Sequence, residues 1–471
     1  MNFEWMIFVE LGIISLALLV GTVLRAKIKV FQKFLIPNSI TGGILLLLFY
    51  TFAAPRFGMD TSFLENLVYH LLNISFVAMA LRRGEKKSTK KGVAYSTSIT
   101  ILSGYVVQGV LGLSITLMLI KTFIPNLFPT FGFFIPLGFA LGPGQSFAIG
   151  SKWEAAAYGF EGAGSVGLTF AAIGFFWAIF GGVFLVNIAL RKGWIKRFRD
   201  VDMDVMENKT GLLKTHETRP IGAHLTTQSE AIETFSFNLA VILIVYLLSY
   251  LFLKLLTYLL GFVGPLGMSL AESFWGISFI FATLFGIIAR KFLRLVKAGH
   301  VLENGTLTRM AGFSVDFMVA ASIGAISVSI VAKYWVPILI LGIAGGAVTM
   351  LVLLWVGSRL LLNYKFERVI LMYGALTGTL PSGLTLLRVV DPEFETPAAA
   401  DYIPAAGIMF VMAIPYILMV DFPAYAFRDS NPLYYWLTGI IFSAYIIFVL
   451  VSYLLLMRGR RKRQPGRLWR V

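Results

Sequence analysis

Apolar residues run in blocks of about twenty along most of the chain, divided by short polar stretches, and about twenty is what an α-helix needs to cross a hydrocarbon core. Hydropathy and flanking charge place such runs at about 4–24, 34–54, 64–81, 94–120 and 166–190 in the first part of the chain. In the second part they fall at about 235–260, 272–290, 311–331, 336–357, 402–421 and 433–457. Two further hydrophobic stretches are interrupted. Gly138 to Trp153 reads GFALGPGQSFAIGSKW, with Gly142, Pro143, Gly144 and Gly150 crowding it; Gly374 to Arg388 reads GALTGTLPSGLTLLR. Glycine and proline in such numbers oppose a straight helix. Unpaired backbone at membrane depth is tolerated only where it is buried in protein or lines a polar cavity.

Charge placement orients the runs. Basic residues follow the first run (Arg25, Lys27, Lys29), the third (Arg82, Arg83, Lys86, Lys87, Lys90, Lys91) and the segment ending at 190 (Arg191, Lys192, Lys196, Arg197, Arg199). These mark inward ends, so the N-terminus is expected outside and the C-terminus, with its Arg458–Arg470 cluster, in the cytoplasm. Parity then requires the interrupted stretches, about 131–160 and 368–392, each to enter and leave on one side. The expected fold is an all-α polytopic membrane protein with two inverted-topology repeats. Each repeat, 1–190 and 234–432, has five transmembrane helices and one re-entrant hairpin. A cytoplasmic linker (191–233) joins them, and 433–471 adds an extra helix and a basic tail. Paired breaks in two halves are the sequence pointer to a transporter's binding site.

Composition narrows the choice. A mean hydropathy of +0.80 excludes an ordinary soluble protein, and the +16 net charge follows the inside loops and tail, which points to topology rather than nucleic acid. With no cysteine, disulfides and thiolate metal centres are excluded, and the four histidines are scattered. Gly162–Gly167 spells GxGxxG, but without a preceding buried strand it reads as close helix packing. No convergent nucleophile, base or metal set is evident, so an enzyme is not expected; nor is a cofactor, apart from sodium as a coupling ion.

At the hairpin tips, half-helix N-termini suit carboxylates and carbonyl ends suit Na⁺. Gly142, Gly144, Gln145, Ser146, Thr377, Gly378, Thr379 and Ser382 are therefore the candidate substrate-binding set, with Ser151 a further hydroxyl nearby. Ser and Thr here could equally satisfy freed backbone groups. Arg388 could hold a substrate carboxylate bidentately, pair with Asp391, or reach the interface. Asp316, read as lying near the start of its span, and Asn73, at the corresponding place in the first half, are the ion-binding candidates; a carboxylate inside a membrane span usually has a purpose. Glu10 is either a scaffold contact or an ion site. Lys152, Glu154 and Glu161 are expected in an outer vestibule.

These stretches resemble the bacterial sodium:glutamate symporter (glutamate:sodium symporter) family. Its IPxPxxGG is answered by Ile36-Pro37-Asn38-Ser39-Ile40-Thr41-Gly42-Gly43. Its glycine-rich first hairpin, ending near a Trp, is answered by Gly142-Pro143-Gly144 and Trp153. Ala171-Ala172-Ile173-Gly174 with Gly181-Gly182, and Gly378 to Gly383 against a GATPTA-like run, are similar too. The histidines that typical glutamate carriers show near both hairpins are absent, and the last span is additional. The resemblance implies sodium-coupled symport of glutamate or a related small carboxylate by alternating access, in a homodimer embedded in the bacterial inner membrane. A proton-coupled carrier or exporter of another organic anion is the near alternative. A channel or an intramembrane enzyme is the distant one.

Overall fold

The computed structural model describes residues 5–34, 36–82, 91–195, 210–212, 221–391 and 396–458. The basic loop at 83–90, most of the linker and the tail beyond 458 lie outside the described residues. Every regular element among the described residues is helical. In order they are α1 (Met6–Lys27), α2 (Lys29–Lys33), α3 (Asn38–Phe52), α4 (Ser62–Leu81) and α5 (Lys91–Thr122), then a π-helical segment (Ile135–Leu141) and α6 (Pro143–Glu154). α7 (Ala163–Phe176) continues through a π-helical turn (Trp177–Gly181) into α8 (Gly182–Arg191). The second part holds α9 (Thr234–Gly261), α10 (Pro265–Gly276), α11 (Ser278–Leu295), α12 (Asn304–Gly324), α13 (Val328–Lys333) and α14 (Trp335–Leu360). It ends with α15 (Lys365–Gly378), α16 (Leu380–Val390), α17 (Ala398–Met419), α18 (Phe422–Asp429) and α19 (Leu433–Arg458).

Among the described residues, eight helical stretches are long and apolar enough to cross a membrane, or nine if α10 and α11, bent by 70° at Ile277, form one span. Several expected bounds shift. The run expected at 34–54 starts only after Pro37 and gives 15 residues of helix, because the residue before proline is pushed away from helical geometry. The run expected at 272–290 is broken at Ile277. The run expected at 311–331 is helix from Asn304 to Gly324, opened by Glu303, whose side chain caps Thr306 N–H. Asp316 is therefore twelve residues into its helix rather than near its start.

The helices sort into two groups. α1, α3, α4 and α9–α12 pack together, with Val77, Leu81, Ile242, Ala282, Leu307 and Met310 in one buried cluster. α5, α7, α8, α14, α17 and α19 surround the two interrupted stretches. α3 runs parallel to α12, Gly43 lying on Ala320 and Ile323 and Leu46 on Gly324, while α4 runs antiparallel to α12. The groups meet along α6, where Leu72 of α4 fills the space a side chain at Gly144 would need.

A tight backbone crossing lies where the chain enters the first interrupted stretch. A Cβ on Gly132 would run into the Gly112 carbonyl oxygen of α5, and one on Gly112 into that of Gly132. Neither oxygen can move without its helix. Gly132→Val is accordingly expected to lower stability by on the order of 3 kcal/mol or more, visible as a drop in the thermal midpoint of the detergent-solubilised protein.

Candidate functional site

Both interrupted stretches are hairpins. In the first, the π-helical arm closes with Gly142 N–H donating to Leu137 O at 2.9 Å, and α6 then folds back so that the Phe134 and Trp153 rings lie 5.3 Å apart. In the second, α16 folds back on α15 so closely that a Cβ on Gly374 would meet the Gly383 backbone at 2.6 Å. Each hairpin thus begins and ends on one side of the bundle.

The turns have the same conformation in different residues. Gly142 has φ 94° and ψ −178°; Thr379 has φ 91° and ψ 161°. Proline follows within two residues in each case (Pro143, Pro381), at the first turn of the new helix, where its missing N–H costs nothing. The turns also touch: a Cβ on Gly142 would lie 2.9 Å from Thr379 Cγ2. Two helix N-termini therefore converge, each with free N–H groups and a partial charge of about +0.5.

Positive φ in this region is close to glycine-only, and a β-branched residue there stores strain of about 1–3 kcal/mol. Thr379→Gly is expected to raise the thermal midpoint despite glycine's greater freedom when unfolded; an unchanged or lowered midpoint would remove strain from the account.

Around the tips, Gln145 and Ser146 are 2% and 0% exposed, and neither Gln145 Oε1 nor Ser146 Oγ has a hydrogen-bond partner among the described residues. Most buried polar atoms are paired, so an orphan asks for a ligand or a water. Thr377 and Ser382 differ: their hydroxyls donate to Tyr373 O (2.7 Å) and Gly378 O (3.0 Å), which serves the local backbone. Gly378 is a packing glycine against Ala178 and Phe175, as Gly144 is against Leu72. Ser151 Oγ is also an orphan, farther along α6.

The remaining candidates lie apart. Arg388 is exposed near the end of α16, nine residues beyond Thr379 and so about 14 Å along the helix. Asn73, fully buried in α4, donates to Tyr69 O at 2.9 Å and leaves Oδ1 without a partner. Asp316 is exposed on α12, the helix that packs against α3 and α4. Asn73 and Asp316 thus sit on neighbouring helices. Glu10 accepts from Tyr50 at 3.0 Å, both side chains buried, which is the scaffold contact. Glu161 pairs with Lys333 at the surface, but Lys152 is not in a vestibule: it is buried against Asp421 at 2.7 Å.

Two residues absent from the sequence argument hold the tips. On α5, Tyr105 donates to Ala140 O (3.1 Å), just before the first turn, and Gln108 donates to Leu376 O (3.1 Å), just before the second. Three residues apart, they share one helix face. The Gln108 amide also donates to Thr349 Oγ1 (2.8 Å), whose own proton goes to Gly345 O (2.6 Å). A buried glutamine in mid-span was the available signal.

A many-helix bundle with two broken hairpins meeting tip to tip, both helix N-termini facing inward, has the build of a secondary transporter. Residues 4–382 match the sodium/glutamate symporter family, a stretch that includes both tips, and the chain belongs to that family. It is a multi-pass membrane transporter and not an enzyme. No curated protein and no solved structure matches it.

Proposed function

We propose that the protein imports glutamate, or a closely related small carboxylate, together with Na⁺, by alternating access. The observation that carries this reading is the contact between Gly142 and Thr379, which joins two helix N-termini beside the orphan oxygens of Gln145 and Ser146. The N–H groups of the two first turns would take the carboxylates. The orphan acceptors suit a substrate ammonium or a hard cation, which favours neutral oxygen ligands. The halves 1–190 and 234–432 act as inverted repeats, a reading supported by α4 and α12 running antiparallel and by the matched backbone of the two turns. The group around the hairpins moves as the transport unit against the α1–α4 and α9–α12 group, which serves as scaffold and, as in the family resemblance, as the dimer contact. Asp316 and Asn73, on the scaffold side, are kept as ion-binding candidates of second rank. A monoanion entering with two Na⁺ would carry one net positive charge, a gain of about 2.3 kcal/mol per 100 mV.

The test is uptake of labelled glutamate into proteoliposomes under an inward Na⁺ gradient, against K⁺ and an inward proton gradient. Concentrative, saturable uptake that requires Na⁺ is expected. Uptake driven equally by protons alone would replace Na⁺ as the coupling ion, and flux without saturation or accumulation would indicate a channel.

A further inference from the structure

The bases of the two hairpins are tied to opposite ends of one helix. At the far end of α6, Lys152 Nζ donates to Asp421 Oδ2 (2.7 Å) and Trp153 Nε1 to Asp421 Oδ1 (2.9 Å), so two consecutive residues grip one carboxylate just past the end of α17. At the start of α15, Arg368 donates to Asp401 Oδ2 (2.5 Å) in the first turn of α17, with its Nε on Asn363 O (3.0 Å). All four ionic side chains are buried, with relative exposures of 6% and 7% in the Lys152–Asp421 pair and 6% and 11% in the Arg368–Asp401 pair. Asp401 and Asp421 both lie beyond the stretch that matches the family.

The lengths agree. Lys152 is nine residues from Pro143 and Arg368 ten from Gly378, so each base stands about 14–15 Å from its tip at 1.5 Å per residue. Asp421 stands twenty positions after Asp401, about 30 Å along α17 and the two residues beyond its end. The two half-lengths sum to about that span. A buried ion pair is weak evidence for stability but well suited to fixing one arrangement among several.

We propose that α17 is a ruler: its two terminal carboxylates hold the hairpin bases at the separation that brings the tips into contact, making Asp401, Asp421, Lys152 and Arg368 positioning residues for the site. The proposal concerns the tip contact and holds whatever the substrate proves to be.

The chain has no cysteine, so a single introduced pair, Gly142→Cys with Thr379→Cys, reports the tip separation by its rate of disulfide formation. The Cβ at 142 already lies close enough to the side chain at 379 for a bridge. In that background Asp401→Leu is expected to slow cross-linking by about tenfold or more. Because the single variant strands the buried Arg368 charge at a cost to folding, the deciding variant is Arg368→Met with Asp401→Leu, which removes both charges. The ruler predicts the thermal midpoint of the cysteine-pair parent with cross-linking still slow, and the same from Lys152→Met with Asp421→Leu. Recovery of fast cross-linking together with stability would overturn it, since the pairs would then serve folding alone. Double variants that do not fold would overturn it as well, by showing the pairs to be needed for the fold itself.

Discussion

Lys152→Met is expected to destabilise the protein by about 3–5 kcal/mol, because it leaves the Asp421 carboxylate buried with its countercharge removed. The side chain of Asp421 is 7% exposed, and among the described residues the Trp153 indole N–H is the donor that would remain to it. Thermal unfolding in detergent would show a large fall in the midpoint for this variant. Replacing Asp421 by Asn in the same chain should recover most of the loss, since Asn keeps an acceptor for Trp153 and carries no charge. A single variant as stable as the parent would mean that Asp421 reaches solvent or takes up a proton at no cost, and the buried pair would lose its weight.

The second large effect is functional. Gln145→Leu should raise the apparent KM for substrate, or for Na⁺, by about 10–100-fold, the equivalent of a lost hydrogen bond to a charged group worth about 1.5–3 kcal/mol. Ser146→Ala should act in the same direction and less strongly. Neither should destabilise the protein: Gln145 Oε1 and Ser146 Oγ have no protein partner to lose, and removing a buried orphan relieves its desolvation cost. The combination of weaker affinity with equal or higher stability is what separates a binding group from a structural one. Uptake kinetics and thermal midpoints measured on the same preparations give both halves. Reduced stability with unchanged KM would assign these side chains to packing.

Much of the fold was legible because membrane crossing writes itself in long apolar runs. The runs ending near 24, 81, 190 and 457 correspond to helices ending at Lys27, Leu81, Arg191 and Arg458. Both hairpins were legible from glycine and proline at the turns. Legibility failed where local chemistry and apolarity disagree. α12 begins seven residues before its apolar run, because capping by Glu303 starts the helix in a polar segment, and this moved Asp316 from the edge of its helix to the middle. The break at Ile277 has no proline and left no mark in hydropathy. Of the candidate site, the glycine and proline pattern placed Gln145 and Ser146 beside a turn, but the sequence could not show that Thr377 and Ser382 turn back to their own helices. Lys152 read as a vestibule charge because its partner, Asp421, is 269 residues away in sequence and only the fold brings them together. The signal that could have found the pair was present: Asp401 and Asp421 bracket an apolar run, and carboxylates in such places call for partners.

The central claim is that substrate and Na⁺ bind where the hairpin tips meet. Ser382→Cys, the only thiol in an otherwise cysteine-free chain, tests it through its rate of alkylation by a maleimide in a preparation shown to take up substrate. Protection by glutamate in the presence of Na⁺, and little or none by either alone, is the predicted result. An alkylation rate indifferent to both, in a protein that still transports, would place the binding site away from the tips and contradict the account.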